Sequence, residues 1–255
     1  MPLSFRRSRN VAIRYNQTTR LLDTLSKVYN VSMDPNALSP LLAKCPCPDS
    51  LQHVDRGILG PGFYPGAQGF LPSTPCTSGI MLLGRVFGTK QYHEQLCGTP
   101  AREETAITWR HTRDIYLAAL AGLPVWCTHY FIGLRRSGSL KGNIAKRTSA
   151  NQWLSFEAYC WQFLQSQVLL QRPLVLVILG GDNERNLSAI ERLGPTPALP
   201  THHTFSRDAK EHTALVTFAD HPHSLIPKKR QEDARLVAFE IRRIFEKERD
   251  AKKLR

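Results

Sequence analysis

Apolar residues in this chain fall into two patterns. Between about residues 80 and 219 they gather in short continuous runs, each closed by glycine, proline or a polar residue, and separated by stretches with helical spacing. Ile80-Met81-Leu82-Leu83 is the first run, ending at Gly84; residues 124–132 (PVWCTHYFI) are the second. Residues 173–179 (PLVLVIL), closed by Gly180-Gly181, form the clearest run, and residues 214–219 the last. Short continuous apolar runs are the mark of strands buried on both faces, as in a parallel sheet. Between them the spacing predicts a helix over 105–121, stopped by Gly122 and Pro124, and a second over 151–170 with Trp153, Phe156, Cys160, Phe163 and Leu164 on one face. A short helix is expected over 183–193, and a basic helix from 228 to the C-terminus, its stripe of Val237, Ile241, Ile244 and Phe245 turned to the core.

Strands alternating with helices predict an α/β fold, a three-layer αβα sandwich around a central, mainly parallel sheet of four strands. Upstream the pattern differs. Residues 1–50 read as a basic N-terminal extension with one helix over 18–29 and a Pro-rich loop, and residues 51–78 are rich in Gly and Pro. The expected organisation is this extension followed by one domain, 51–255, that ends in the basic helix. In such folds ligands bind at the carboxyl ends of the strands. The residues following Leu83, Ile132, Leu179 and Ala219 are therefore expected to line a site.

Charge sharpens that expectation. Lys and Arg number 34 against 21 Asp and Glu, a formal net charge of +13. A field of that sign attracts polyanions, and nucleic acid comes first among them. An acidic membrane surface comes second to nucleic acid and is not the partner expected; no run of 18 apolar residues exists, so no membrane span is expected either. The Arg-rich start, Met1 to Arg9, lacks the apolar stretch of a secretory signal and is taken as an arm that touches phosphate, in preference to an organelle transit peptide. Of six cysteines, Cys127 and Cys160 sit in apolar segments as small core residues. Cys45-Pro46-Cys47-Pro48 is a Pro-stiffened loop without zinc spacing, and with Cys76 and Cys97 no paired spacing for a cluster arises. Reduced thiols, no cofactor, no metal and a cytoplasmic location are the expectation.

At the four strand ends stand Gly84-Arg85-Val86-Phe87-Gly88, His129 followed by Gly133-Leu134-Arg135, Gly180-Gly181-Asp182-Asn183, and Asp220-His221-Pro222-His223-Ser224-Leu225 leading to Lys228-Lys229-Arg230. With Gly60-Pro61-Gly62-Phe63-Tyr64-Pro65 upstream, this series resembles the uracil-DNA glycosylase superfamily over about residues 57–245. It is most similar to a bacterial branch with Gly-Pro-Gly-Tyr/Phe, a strand ending Leu-Gly, a Gly-Leu-Arg after the second strand, and a late His-Pro-Ser.

The resemblance implies an enzyme that flips a pyrimidine out of DNA and hydrolyses its N-glycosidic bond, with water and not a lysine as nucleophile. Cleavage leaves negative charge on the departing base, which a positioned His221 would stabilise by hydrogen bonding. Leu225 matches the apolar wedge that replaces the flipped base, with Arg85, Arg135, His223, Ser224, Lys228, Lys229 and Arg230 on DNA. Phe63, Tyr64 and Phe87 are candidates for stacking on the base.

Three departures redirect the substrate. Val86 stands where relatives place a water-positioning Asp or Asn, so Asp182 or Asp220 is expected to take over, with His223 a further candidate. Gly88 replaces a Tyr that blocks carbon 5 of the pyrimidine. His129 replaces an Asn that reads uracil, and its ring does not reproduce an amide's two-point pairing. Together they imply a cytosine with a bulky 5-substituent, as in modified viral DNA, and a role in defence. An inactive reader of modified or damaged bases and a uracil-DNA glycosylase of base-excision repair are the alternatives. A metal-dependent nuclease using His202, His203, His212, His221 and His223 is a third class, weakened because His202-His203 falls in a predicted loop and no ligand spacing recurs.

Overall fold

The computed structural model describes residues 44–49, 51–53, 78–86, 110–136, 148–180, 193, 200–222 and 228–253. Within them the fold is mixed α/β, built on one mostly parallel five-stranded sheet. The strands are β2 (Ile80–Val86), β3 (Val125–Phe131), β5 (Val175–Leu179), β6 (Thr201–Arg207) and β7 (Lys210–Ala219), in the order β3-β2-β5-β7-β6. β3, β2, β5 and β7 run parallel to one another, and β6 pairs antiparallel with β7 at the edge. A separate ribbon joins β1 (Leu51–His53) to β4 (Gly133–Arg135).

The four expected strands are all present, and the sheet has a fifth. β6 lies where the sequence predicts a loop around His202 and His203. Its side chains alternate, and only Phe205 is fully buried. An antiparallel edge strand is half solvated, so it carries no continuous apolar run to betray it. The first run also continues past its expected end: Gly84, Arg85 and Val86 remain in β2, Gly84 in register with His129 and Val86 with Phe131.

Alternation along the central strands divides the core between two faces. Met81, Leu83, Leu176, Ile178 and Val216 face helix α1 (Ala150–Gln171), against its Phe156, Cys160, Phe163, Leu164 and Val168. Ile80, Leu82, Val175, Val177 and Leu179 face the opposite side, against α2 (Lys228–Lys253) and a helical stretch that includes the π-helix Thr112–Leu117. Ser149 caps α1, its hydroxyl accepting from the Gln152 amide N–H. The buried stripe of α2 is Ala234, Ala238, Ile241 and Phe245, with Ile244 partly covered; Val237, expected in the stripe, is exposed. Two alanines let the helix approach the sheet closely, and hydropathy alone favours the larger valine beside them. No helix among the described residues is long and apolar enough to cross a membrane.

The expected helix over 18–29 lies outside the described residues, as does that over 183–193 except for buried Leu193. Of the expected extension 1–50, only residues 44–49 are described.

Candidate functional site

Topology decides where to look. From β2 the chain goes to β3 on one side; after β5 it goes on to β6 and β7 on the other. The carboxyl ends of β2 and β5 thus flank a switch point, the place where open α/β sheets form a crevice. In sheet order the residues at this edge are His129, Gly84, Gly180 and the pair Asp220-His221. With strands about 4.8 Å apart the row extends about 14 Å.

Gly84 and His129 form one corner. The imidazole of His129 lies directly over the backbone of Gly84: a Cβ built on Gly84 would stand 2.8 Å from His129 Cδ2 and 2.9 Å from Nε2. No other residue leaves room for the ring, so the glycine at this register position is required by close approach. His129 is only 6% exposed, a polar ring packed into the base of the edge. Beyond Leu83 the β2 register continues along β3, to Gly84↔His129 and Val86↔Phe131. Arg85 is half-buried, and Val86 packs on the core shared with α1.

The other corner is a backbone held at successive points. Gly180 takes a positive φ of 84°, which a glycine adopts without strain, and its N–H donates to Ala219 O at 2.6 Å. Tyr116 Oη donates to Asp220 O at 2.6 Å. His111 Nδ1 donates to Pro222 O at 2.7 Å, and because a carbonyl only accepts, that nitrogen carries the hydrogen. The carbonyls on both sides of His221 are thereby tied to one helical segment, and His221 itself is half-buried, as is Asp220.

Those two tethers depend on the π-turn. Residues five apart diverge by about 140° around an α-helix. Widening to i→i+5 bonding, here Ala118 N–H to Arg113 O, brings His111 and Tyr116 toward one side of the helix. Sequence reading missed both. Their spacing does not fit an α-helical face, so no pattern short of the structure links them to His221.

A third polar feature lies inside the sheet. Thr128 Oγ1 donates to Gln167 Oε1 at 2.8 Å, and Trp126 Nε1 approaches the same oxygen at 3.4 Å. This fixes β3 against α1, one residue before His129.

The structure brings together Gly84, His129, Asp220 and His221 on one edge. Lys228 opens α2, and Lys229 and Arg230 are exposed in its first turn, which contains no acid. The exposed Lys229 and Arg230 at the positive end of a helix dipole make an electropositive surface suited to anions. Arg135 is placed by its backbone in β4. Phe63, Tyr64, Phe87, Gly88, Asp182, His223, Ser224 and Leu225 lie outside the described residues.

Of the histidines of the nuclease alternative, His202, His203, His212 and His221 are described. His212 is buried and its Nε2 donates to Pro173 O at 2.6 Å, while His203 packs edge-on against Phe205 and Trp161. His202 is exposed, 3.4 Å from Glu248. Burial lowers the pKa of both His203 and His212. No group of three His, Cys, Asp or Glu side chains among the described residues has metal-binding geometry. No protein-family model matches the sequence, and no curated protein matches it.

Proposed function

We propose that the chain is a monofunctional DNA glycosylase, a three-layer αβα sandwich of the uracil-DNA glycosylase type acting on a pyrimidine with a bulky 5-substituent. The observation that carries this is the backbone clamp: His111 and Tyr116 hold the carbonyls flanking His221 at the carboxyl edge of a mostly parallel sheet. In the reaction the C1′–N bond breaks with its electrons leaving on the base. His221 would donate a hydrogen bond to that anion, and water adds to the oxocarbenium sugar to leave an abasic site. A donor contributes most when its position is set before the charge develops, and a clamped backbone sets it.

Further support comes from the +13 charge and the exposed Lys229 and Arg230. His129 packs on Gly84, and the resemblance aligns it with an amide that reads uracil, whose two-point pairing an imidazole does not reproduce. A bulky 5-modified cytosine, as in viral DNA, fits that change and the Gly88 substitution, and the role would be defence.

Val86 favours a second reading. Packed on the apolar core, it positions no water, as a reader that binds modified bases without cutting them would allow. Abasic-site formation separates the outcomes. The protein is incubated with unmodified DNA, uracil DNA, and DNA carrying hydroxymethylated or glucosylated cytosine, followed by alkali cleavage. Strand breaks only in 5-modified DNA support the proposal. Breaks in uracil DNA move the substrate to base-excision repair, and tight binding without breaks favours the reader.

A further inference from the structure

Away from that edge, a short segment places two thiols face to face. Residues 45–47 form a three-residue turn in which Cys47 N–H donates to Cys45 O at 2.8 Å, and the two Sγ atoms stand 3.8 Å apart. Both are free thiols. Their surroundings differ. Cys45 is 4% exposed and belongs to the core shared with α1, whereas Cys47 is half-buried and reachable from solvent. The pair is thus asymmetric, one cysteine in the core and the other only partly covered by it.

We propose that Cys45 and Cys47 are a peroxide-sensitive dithiol that closes to an intramolecular disulfide. The sulfurs need to approach by about 1.7 Å to reach bonding distance, a shift within the reach of χ1 rotations. Cys47 is the attacking sulfur. Its pKa is lowered by the hydrogen bond shared with Cys45 and by the Arg136 guanidinium, against the opposing effect of burial. Cys45 is pushed up by the same hydrogen bond and by burial, so it keeps its proton and acts as the resolving partner.

The atoms balance. Cys47 thiolate attacks one peroxide oxygen, the O–O bond breaks, and the departing hydroxide takes the Cys45 proton to become water. Cys45 thiolate then attacks the Cys47 sulfenic sulfur; the S–S bond forms, the S–O bond breaks, and the second hydroxide takes a proton from solvent. Two thiols lose two electrons, and peroxide is reduced to two waters.

Cys127 and Cys160 supply the internal contrast, both buried and pushed up by desolvation. The segment is also anchored: Leu51 follows four residues after Cys47, pairs with Arg135 in the β1–β4 ribbon, and its carbonyl accepts from Arg136 Nε at 2.7 Å. The dithiol does not depend on the glycosylase assignment, and its test contains no DNA.

Trypsin releases residues 45–56, a peptide holding Cys45 and Cys47 and no other cysteine. The full-length protein is treated with hydrogen peroxide, alkylated, digested and weighed. The expected result is peptide 45–56 about 2 Da lighter, unalkylated, restored by dithiothreitol, and formed at least about tenfold faster than Cys127 or Cys160 reacts. A doubly alkylated peptide after the others have oxidised, a cross-link to another cysteine, or a Cys47 sulfinic acid beside an intact Cys45 would overturn the proposal. Cys45→Ser should stop at a sulfenic acid captured by a dimedone probe. In Cys47→Ser, which changes only the half-buried sulfur, Cys45 should stay reduced; oxidation there at the wild-type rate of the pair would equally sink it.

Discussion

β7 carries a histidine near its start and another just past its end, nine positions later and about 25–30 Å away, and the two are treated in opposite ways. At His212 the protein uses the side chain: the ring is buried, and its Nε2 is spent on the Pro173 carbonyl. At His221 it holds the backbone, through the carbonyls of Asp220 and Pro222, and the residue is half-buried. A buried ring bonded to a carbonyl is a structural part, satisfied and shielded. Under the proposed function, a main chain fixed from both sides at a switch point would set the position of the His221 ring before a ligand arrives. The same residue type is thus anchored through its ring near the start of the strand and through its flanking carbonyls just past the end.

Changes at the carboxyl edge should break this contrast most strongly. Gly84→Ala places a methyl group within 3 Å of the His129 ring and should destabilise the fold by about 1–3 kcal/mol, read as a lower denaturation midpoint at unchanged m-value. The double change Gly84→Ala/His129→Ala should recover part of that loss. Tyr116→Phe removes one tether alone and should cost about 1 kcal/mol of stability. If the proposed glycosylase activity holds, its effect on kcat for abasic-site formation should exceed that on KM, since a freed Asp220 carbonyl loosens His221 and leaves the proposed DNA contacts untouched.

A smaller effect sharpens the opposite end of the strand. Burial lowers the folded-state pKa of His212 below the ordinary value of about 6.5, so the unfolded chain binds the proton more readily. Its contribution to stability is therefore present above about pH 6.5 and declines as pH falls below it. His203, half-buried beside Phe205 and Trp161, acts in the same sense. Denaturation midpoints between about pH 7 and 5 should fall in the wild type, and fall less steeply in His212→Gln.

Much of the frame was legible in the sequence because buried parallel strands are written as apolar runs. Ile80 to Leu83, 124–132 and 173–179 needed no tertiary information to be seen as strands, and Gly122-Leu123-Pro124 marked where a helix had to stop. β6 was hidden since an edge strand buries one residue, Phe205, and leaves its histidines to solvent or aromatic contact. In the α2 stripe Ile241, Ile244 and Phe245 were legible and only Val237 was misread, because Ala234 and Ala238 pack by being small, which hydropathy does not rank. Of the site, the strand-end positions Gly84, His129, Asp220 and His221 were accessible from the rule that ligands gather at carboxyl ends. His111 and Tyr116 were not. They lie more than a hundred residues from the carbonyls they hold and share a side only where the helix widens to a π-turn.

The most direct test compares His221→Ala with His212→Ala on DNA carrying 5-modified cytosine, measuring abasic-site formation and thermal midpoint on the same samples. The account predicts that His221→Ala lowers the rate by about 100- to 1,000-fold with the midpoint nearly unchanged. His212→Ala should lower the midpoint by several degrees, since the Pro173 carbonyl loses its donor, while the rate below that midpoint stays near wild type. The reverse assignment, or a His221→Ala protein that still forms abasic sites at the wild-type rate, would contradict it.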